Sequence, residues 1–282
     1  MKLDKNTILF NAGGGLAILI VGVYFVRTTL FPTRAPPCST IYSGLTQLPL
    51  EHAGGDLFTA ADLQARLAGR DVGVIDNTRV LRVKNGPGAV IEIDLPKGSL
   101  SPKSTQVKGG VAFQWRPNRL DSTPSACLGY SVWVPNDFDF KRGGTLPGLY
   151  GAGDSGRDDK PVFAARFMWR EGGKSEVLAT MPLNGESRTQ TIDPEAFKLQ
   201  PGKWTRLEQE VVLNTPGLKD GVLRVWVDGV QVIEKTQLVL RENAQVVFGG
   251  VQADAFYGGA DSSYASPKDT KIRISPFEVR TP

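Results

Sequence analysis

From about residue 72 to its end, the chain is a succession of short β-branched or aromatic runs broken by Gly, Pro, Asn and Asp. The runs lie at 80–83, 89–94, 110–115, 129–134, 162–169, 176–181, 204–213, 222–227 and 271–279. Strand side chains alternate between two faces, so each run needs a second layer to bury its apolar face. Many such runs with turn signals between them point to an all-β fold, a β-sandwich of jelly-roll type. The plainest hairpin is 222–235, VLRVWVDGVQVIEK, where Asp228-Gly229 supplies the positive-φ residues of a tight turn. The 32 Gly and 19 Pro argue against a long helical bundle. One short helix is signalled, by Thr59 and Asp62 as a capping pair followed by Leu63 and Leu67, with Gly69 ending it.

The N-terminus is different material. Residues 7–26 are twenty consecutive uncharged, mostly apolar positions between Lys2, Lys5 and Arg27, Arg34. That is enough helix to cross a bilayer core of roughly 30 Å. The run ends in Tyr24-Phe25-Val26-Arg27 with no small-residue cleavage site, so it reads as one uncleaved N-terminal transmembrane helix, not a signal peptide. Flanking charge is nearly balanced and does not set the topology. The expected organisation is a transmembrane anchor over 1–30, a linker over 31–58 that opens with FPTRAPP, and a folded domain over 59–282. Cys38 and Cys127 are 89 residues apart, and either form a disulfide, which would place the domain in the periplasm or outside the cell, or are two buried thiols. With a single histidine, His52, and these two cysteines, no metal centre is expected. The net charge of +4 comes from dispersed Lys and Arg, so no nucleic-acid partner is expected, and no cofactor either.

Five segments carry a resemblance. LRVKNGPGAVIEIDLPKGS (81–99), FDFKRGGTLPGLYG (138–151), FAARFMWREGGKSEVLATMP (163–182), WTRLEQEVVLNTPGLKDGVLRVWVDG (204–229) and FYGGADSSYASPKDTKI (256–272) resemble, in order, the polysaccharide lyase family 14 domain, over about 75–282. The resemblance implies a jelly roll, a polysaccharide partner, anionic by preference, and cleavage of uronate polymers such as alginate by β-elimination. That reaction needs a base beside the uronate carboxylate, an acid for the leaving oxygen, and cations for the charge that develops.

The family's chemistry-bearing positions fall here at Arg142, Ala164, Arg166, Leu178 and Thr180; where the family has two tyrosines, this chain has Leu178 and Thr180. Leucine cannot carry a proton, threonine is a poor base, and Arg142 stays charged. Alternation sets Ala164, Arg166, Met168 and Arg170 on one face of their strand, with Phe163, Ala165, Phe167 and Trp169 on the other. Arg142, Arg166 and Arg170 are therefore the expected polysaccharide-binding residues, and Tyr150, Tyr257 and Tyr264 the phenols that could replace those missing. Trp226 is either a sugar-stacking platform or covered by a neighbouring loop, and Asp154, Asp158 and Asp159 read as a surface loop more than a calcium site. Asp261, Lys268 and Asp269 read as structural. The expected protein is a membrane-anchored extracytoplasmic polysaccharide-binding protein, with an active lyase and an envelope scaffold as the alternatives.

Overall fold

The computed structural model describes residues 34–153 and 160–282. The regular elements of the described residues are three short α-helices, α1 (Cys38–Ile41), α2 (Ala60–Gln64) and α3 (Val74–Asn77), three single-turn 3-10 helices and sixteen strands. Nine strands form the first sheet: β1 (Gly44–Gln47), β3 (Thr78–Val83), β4 (Gly88–Leu95), β6 (Ser125–Trp133), β11 (Thr205–Val212), β12 (Gly221–Val227), β13 (Val230–Leu238), β15 (Thr270–Ile274) and β16 (Glu278–Thr281). Seven form the second: β2 (Ala68–Val72), β5 (Val111–Trp115), β7 (Gly144–Ala152), β8 (Phe163–Trp169), β9 (Lys174–Leu183), β10 (Glu186–Lys198) and β14 (Val247–Tyr257). The first runs β13-β12-β11-β6-β15-β4-β3, with the β1–β16 pair joined to β6; the second runs β10-β9-β8-β7-β14-β5-β2. All of these pairings are antiparallel. The result is the all-β sandwich that the run pattern predicts.

Between the sheets lies one core, which takes in Leu128 and Tyr130 of β6 and Phe163, Phe167 and Trp169 of β8, with the Tyr130 and Phe167 rings 6.2 Å apart. Gln209 of β11 is fully buried within it; its Oε1 accepts from Leu149 N at 2.8 Å and its Nε2 donates to Ala165 O at 2.8 Å. A buried amide with both ends satisfied ties the nine-stranded sheet to the backbones of β7 and β8. The Asp228-Gly229 turn has φ of 49° and 81° and joins Val227 to Val230, as the hairpin pattern requires. Thr59 and Asp62 form the capping box at the start of α2.

The folded unit begins earlier than the linker reading has it. The sandwich takes in residues from Pro36 onward: Cys38 is disulfide-bonded to Cys127 of β6, β1 pairs with β16, and Leu48, Leu50 and Phe58 are buried. Residues 36–58 of the expected linker thus belong to the compact unit. The expected transmembrane segment 7–26 lies outside the described residues, among which no helix is long and apolar enough to cross a membrane. Asp154, Asp158 and Asp159 also lie outside them.

Candidate functional site

Strands β8 and β9 pair Ala164 with Thr180, Arg166 with Leu178 and Met168 with Glu176. Directly paired residues of an antiparallel ladder project from the same face. With Phe163, Ala165, Phe167 and Trp169 all in the core, these six side chains lie on the outer face of the seven-stranded sheet. Next door, Tyr150 of β7 is opposite Ala164, and Gln252 of β14 is opposite Gly148 of β7 and Gln114 of β5. Asp254, two residues on, shares that face while Val251, Ala253 and Ala255 are core residues.

Arg166 and Arg170 are both ion-paired within the face. Arg166 Nη1 lies 2.8 Å from Asp254 Oδ2, with side chains 22% and 9% exposed, and Gln252 Nε2 donates to the same oxygen at 2.8 Å. Arg170 Nε donates to Glu176 Oε1 at 2.7 Å, and Glu176 is buried. This polar cluster is not closed by its own members: Arg166 Nε, Gln252 Oε1 and Thr145 Oγ1, on three adjoining strands, are buried without a hydrogen-bond partner. Such orphans cost about 1–3 kcal/mol each and call for an explanation where they gather.

The remaining sequence-predicted residues separate. Arg142 is exposed at the start of β7; its Nη1 donates to Ser263 Oγ at 2.7 Å and its guanidinium lies 4.6 Å from the Tyr264 ring centroid. Hydrogen bonds from Ser263, with Arg142 nearby, hold the Asp261 carboxyl below the usual range. Gly143, at φ 143°, brings this rim against β8: a Cβ there would sit 2.8 Å from Trp169 O and 3.3 Å from Arg170 Nη1. Tyr150 is fully buried against Gly249, where a Cβ would meet its ring at 2.2 Å, and its hydroxyl accepts from Arg116 Nε at 3.1 Å. Tyr257 faces the interior, stacked on Phe138 at 5.6 Å, and donates to Asp139 O at 2.5 Å; burial pushes its phenol far above the ordinary value of 10.0. Thr180 Oγ1 lies 3.1 Å from Thr189 Oγ1.

Trp226 is not a surface platform. It is 1% exposed, paired in register with Glu208 on the outer face of the other sheet. Asp269 accepts from Lys97 N at 2.8 Å and Lys268 pairs with Asp137, so both fasten loops. The sequence reading missed Asp254, Gln252 and Arg116. The period-2 pattern of Val251, Gln252, Ala253, Asp254 and Ala255 carries the signal for the first two.

The family model described as Polysaccharide lyase 14 matches residues 83–277, and the chain belongs to that family. Among solved structures it is similar to a PL-14 alginate lyase from Aplysia kurodai, at 25% identity and a TM-score of 0.70 over 86% of this chain and 99% of that one. It is also similar to an alginate lyase from Chlorella virus, at 20% identity and a TM-score of 0.67 over 85% and 100% of the two chains. An endo-β-1,4-glucuronan lyase from the fungus Trichoderma reesei shares the fold at 11% identity, with a TM-score of 0.55 over 86% and 96%. No curated protein matches the sequence.

Proposed function

We propose that the protein is a membrane-anchored, extracytoplasmic polysaccharide-binding member of the lyase 14 family that does not perform elimination. The observation that carries this reading is the pair opposite Arg166 and Ala164: at the positions where the family resemblance puts tyrosines stand Leu178 and Thr180, side by side on the outer face. Elimination needs a proton acceptor and a donor at the sugar, and neither side chain supplies one at neutral pH. Arginines and polar groups remain, and they can bind sugars without moving protons. The Cys38–Cys127 disulfide supports an oxidising compartment, hence periplasm or exterior. Residues 7–26 supply the anchor.

One observation favours a working lyase as the second reading. The Tyr150 hydroxyl receives the Arg116 Nε–H at 3.1 Å, and Tyr150 is a phenol on the face that carries Leu178 and Thr180, opposite Ala164. The two readings part in one assay, in which the full chain in detergent is incubated with alginate, glucuronan and neutral polymers while the ultraviolet absorbance of the unsaturated uronate is followed. Retention on a polymer with no absorbance rise, reduced about tenfold or more in Arg166→Ala, is the expected result. A rise that disappears in Tyr150→Phe would establish the lyase instead, and absence of both retention and rise would leave neither standing.

A further inference from the structure

Arg166, which the family resemblance places in the site, and Arg170, which strand alternation sets on the same face, each already have a carboxylate partner there. We propose that this face takes an uncharged, hydroxyl-rich glycan and discriminates against polyuronates, with Asp254 and Glu176 serving as fixed counter-ions to Arg166 and Arg170. The proposal rests on the glycan-binding reading above and names its ligand class.

The argument is one of charge and solvation. Asp254 is 9% exposed and Glu176 7%, so neither carboxylate can turn out into water when its arginine is engaged by another anion. A uronate reaching for Arg166 would have to displace Asp254 and leave it buried and unpaired, or approach it as a like charge; both outcomes weigh against binding. A sugar hydroxyl imposes no such choice. It can accept from the guanidinium N–H groups that Asp254 and Glu176 leave unused, and it can donate to either carboxylate, while both ion pairs stay intact. Neighbouring side chains agree with an uncharged ligand: Leu178 is opposite Arg166, and Ala164 and Met168 lie two residues to either side on β8. Of these, Leu178 is half-buried and can meet sugar C–H groups, while Ala164 and Met168, 5% and 7% exposed, pack beside it. Arg142, the third expected cation, is held at the rim by Ser263 and the Tyr264 ring, beside Asp261.

The test measures retention and affinity of the full chain on a neutral β-glucan, mannan and galactan, and on alginate and glucuronan, at low and high salt. Expected is binding to a neutral polymer that salt leaves unchanged, with polyuronates at least about tenfold weaker. Asp254→Asn frees Arg166 and is expected to raise polyuronate affinity about tenfold, now sensitive to salt. Glu176→Gln is expected to do the same through Arg170, and carries the test if thermal melting shows Asp254→Asn to be unfolded. Preferential binding of polyuronates by the unaltered chain, or no gain in either folded variant, overturns the charge-discrimination proposal while leaving the glycan-binding reading in place. Failure to bind any polymer overturns both.

Discussion

On the outer face of the nine-stranded sheet, Glu92 is 1% exposed and accepts from Arg273 Nε at 2.6 Å, Arg79 Nε at 2.7 Å and Lys271 Nζ at 3.4 Å. On the outer face of the seven-stranded sheet, Asp254 is also buried, at 6% exposed, yet its partners are one guanidinium and one amide, and both of those keep a buried orphan atom. The other buried carboxylates of the nine-stranded sheet, Glu208 and Glu210, resemble Glu92. Glu210 takes Arg224 Nη1 at 2.6 Å and Tyr42 OH at 2.8 Å, and Glu208 takes Ser39 N at 3.1 Å and Ser39 Oγ at 2.8 Å. Orphans there are confined to strand ends, at Thr270 and Arg280. A network completed by its own members contributes stability, whereas one left incomplete at the middle of a sheet keeps capacity for something else. Substitutions on the first face should therefore cost folding free energy and spare ligand binding, and substitutions on the second should do the reverse.

The largest expected effect lies where the N-terminal arm is fastened to the first face. The Cys38–Cys127 bond closes a loop spanning 89 residues of sequence. In the chain-entropy account, opening a loop of that size costs about 4.6 kcal/mol, and with some 2–4 °C per kcal/mol for a domain of this size the melting temperature should fall by about 14 °C. Cys38→Ala with Cys127→Ala, followed by thermal melting and polymer retention of the molecules still folded, checks both halves of the comparison. Retention that falls with the melting temperature would show that the two faces are not independent.

Glu92→Gln comes next. Burial alone would raise this carboxyl, but hydrogen bonds from Arg273 and Arg79 outweigh it and hold the group below its ordinary 4.5. A carboxyl depressed in the folded state adds stability above its unfolded value, which is lost as pH falls through the folded value. The amide should therefore cost about 3 kcal/mol at neutral pH, since it leaves three cations around a buried neutral group, and should flatten the acid limb of the stability profile below about pH 4.5. Denaturant titrations of both proteins from pH 7 downward measure this. Parallel acid limbs would mean that the network around Glu92 is not what completes this face.

Much of the nine-stranded face was legible in the sequence, because β4, β11 and β12 have β-branched runs with clear alternation. The site sheet was harder to read for a physical reason. Its central strands β7 and β14 read GTLPGLYGA and VFGGVQADAFY, with glycines and a proline that look like turns. Gly249 is glycine because the Tyr150 ring fills the place of a side chain, and Pro147 sits at a bulge where the register slips between Leu146 and Gly148 and where its carbonyl accepts from Tyr130 OH at 2.9 Å. The polar edge strand β10, almost wholly exposed, has no apolar face to announce it. Alternation did place Ala164, Arg166, Met168 and Arg170 opposite the core residues of β8. It could not show that Arg166 is paired, since its partner Asp254 comes from a strand 88 residues further on.

The smallest expected effect tests the edge of the comparison, where the arm between α1 and β1 lies on the first face. Tyr42 donates to Glu210 Oε1, and its phenol is pushed up to about 12, chiefly by burial and further by Glu210, with Ser125 partly offsetting. Because the folded state favours the neutral phenol, its contribution is complete below the ordinary value of 10.0 and fades as pH rises through about 12. Tyr42→Phe should cost about 1 kcal/mol at neutral pH and remove this part of the loss of stability between those two values. Glu210 keeps Arg224 in the variant, so the carboxylate is not abandoned and the cost stays near that of a single hydrogen bond. Polymer retention should be untouched, because Tyr42 lies against the nine-stranded sheet through Glu210, Arg166 belongs to the seven-stranded sheet, and the two share no partner. A Tyr42→Phe protein that binds more weakly while melting normally would show the arm reaching the other face, and the division of labour between the two sheets would have to be redrawn.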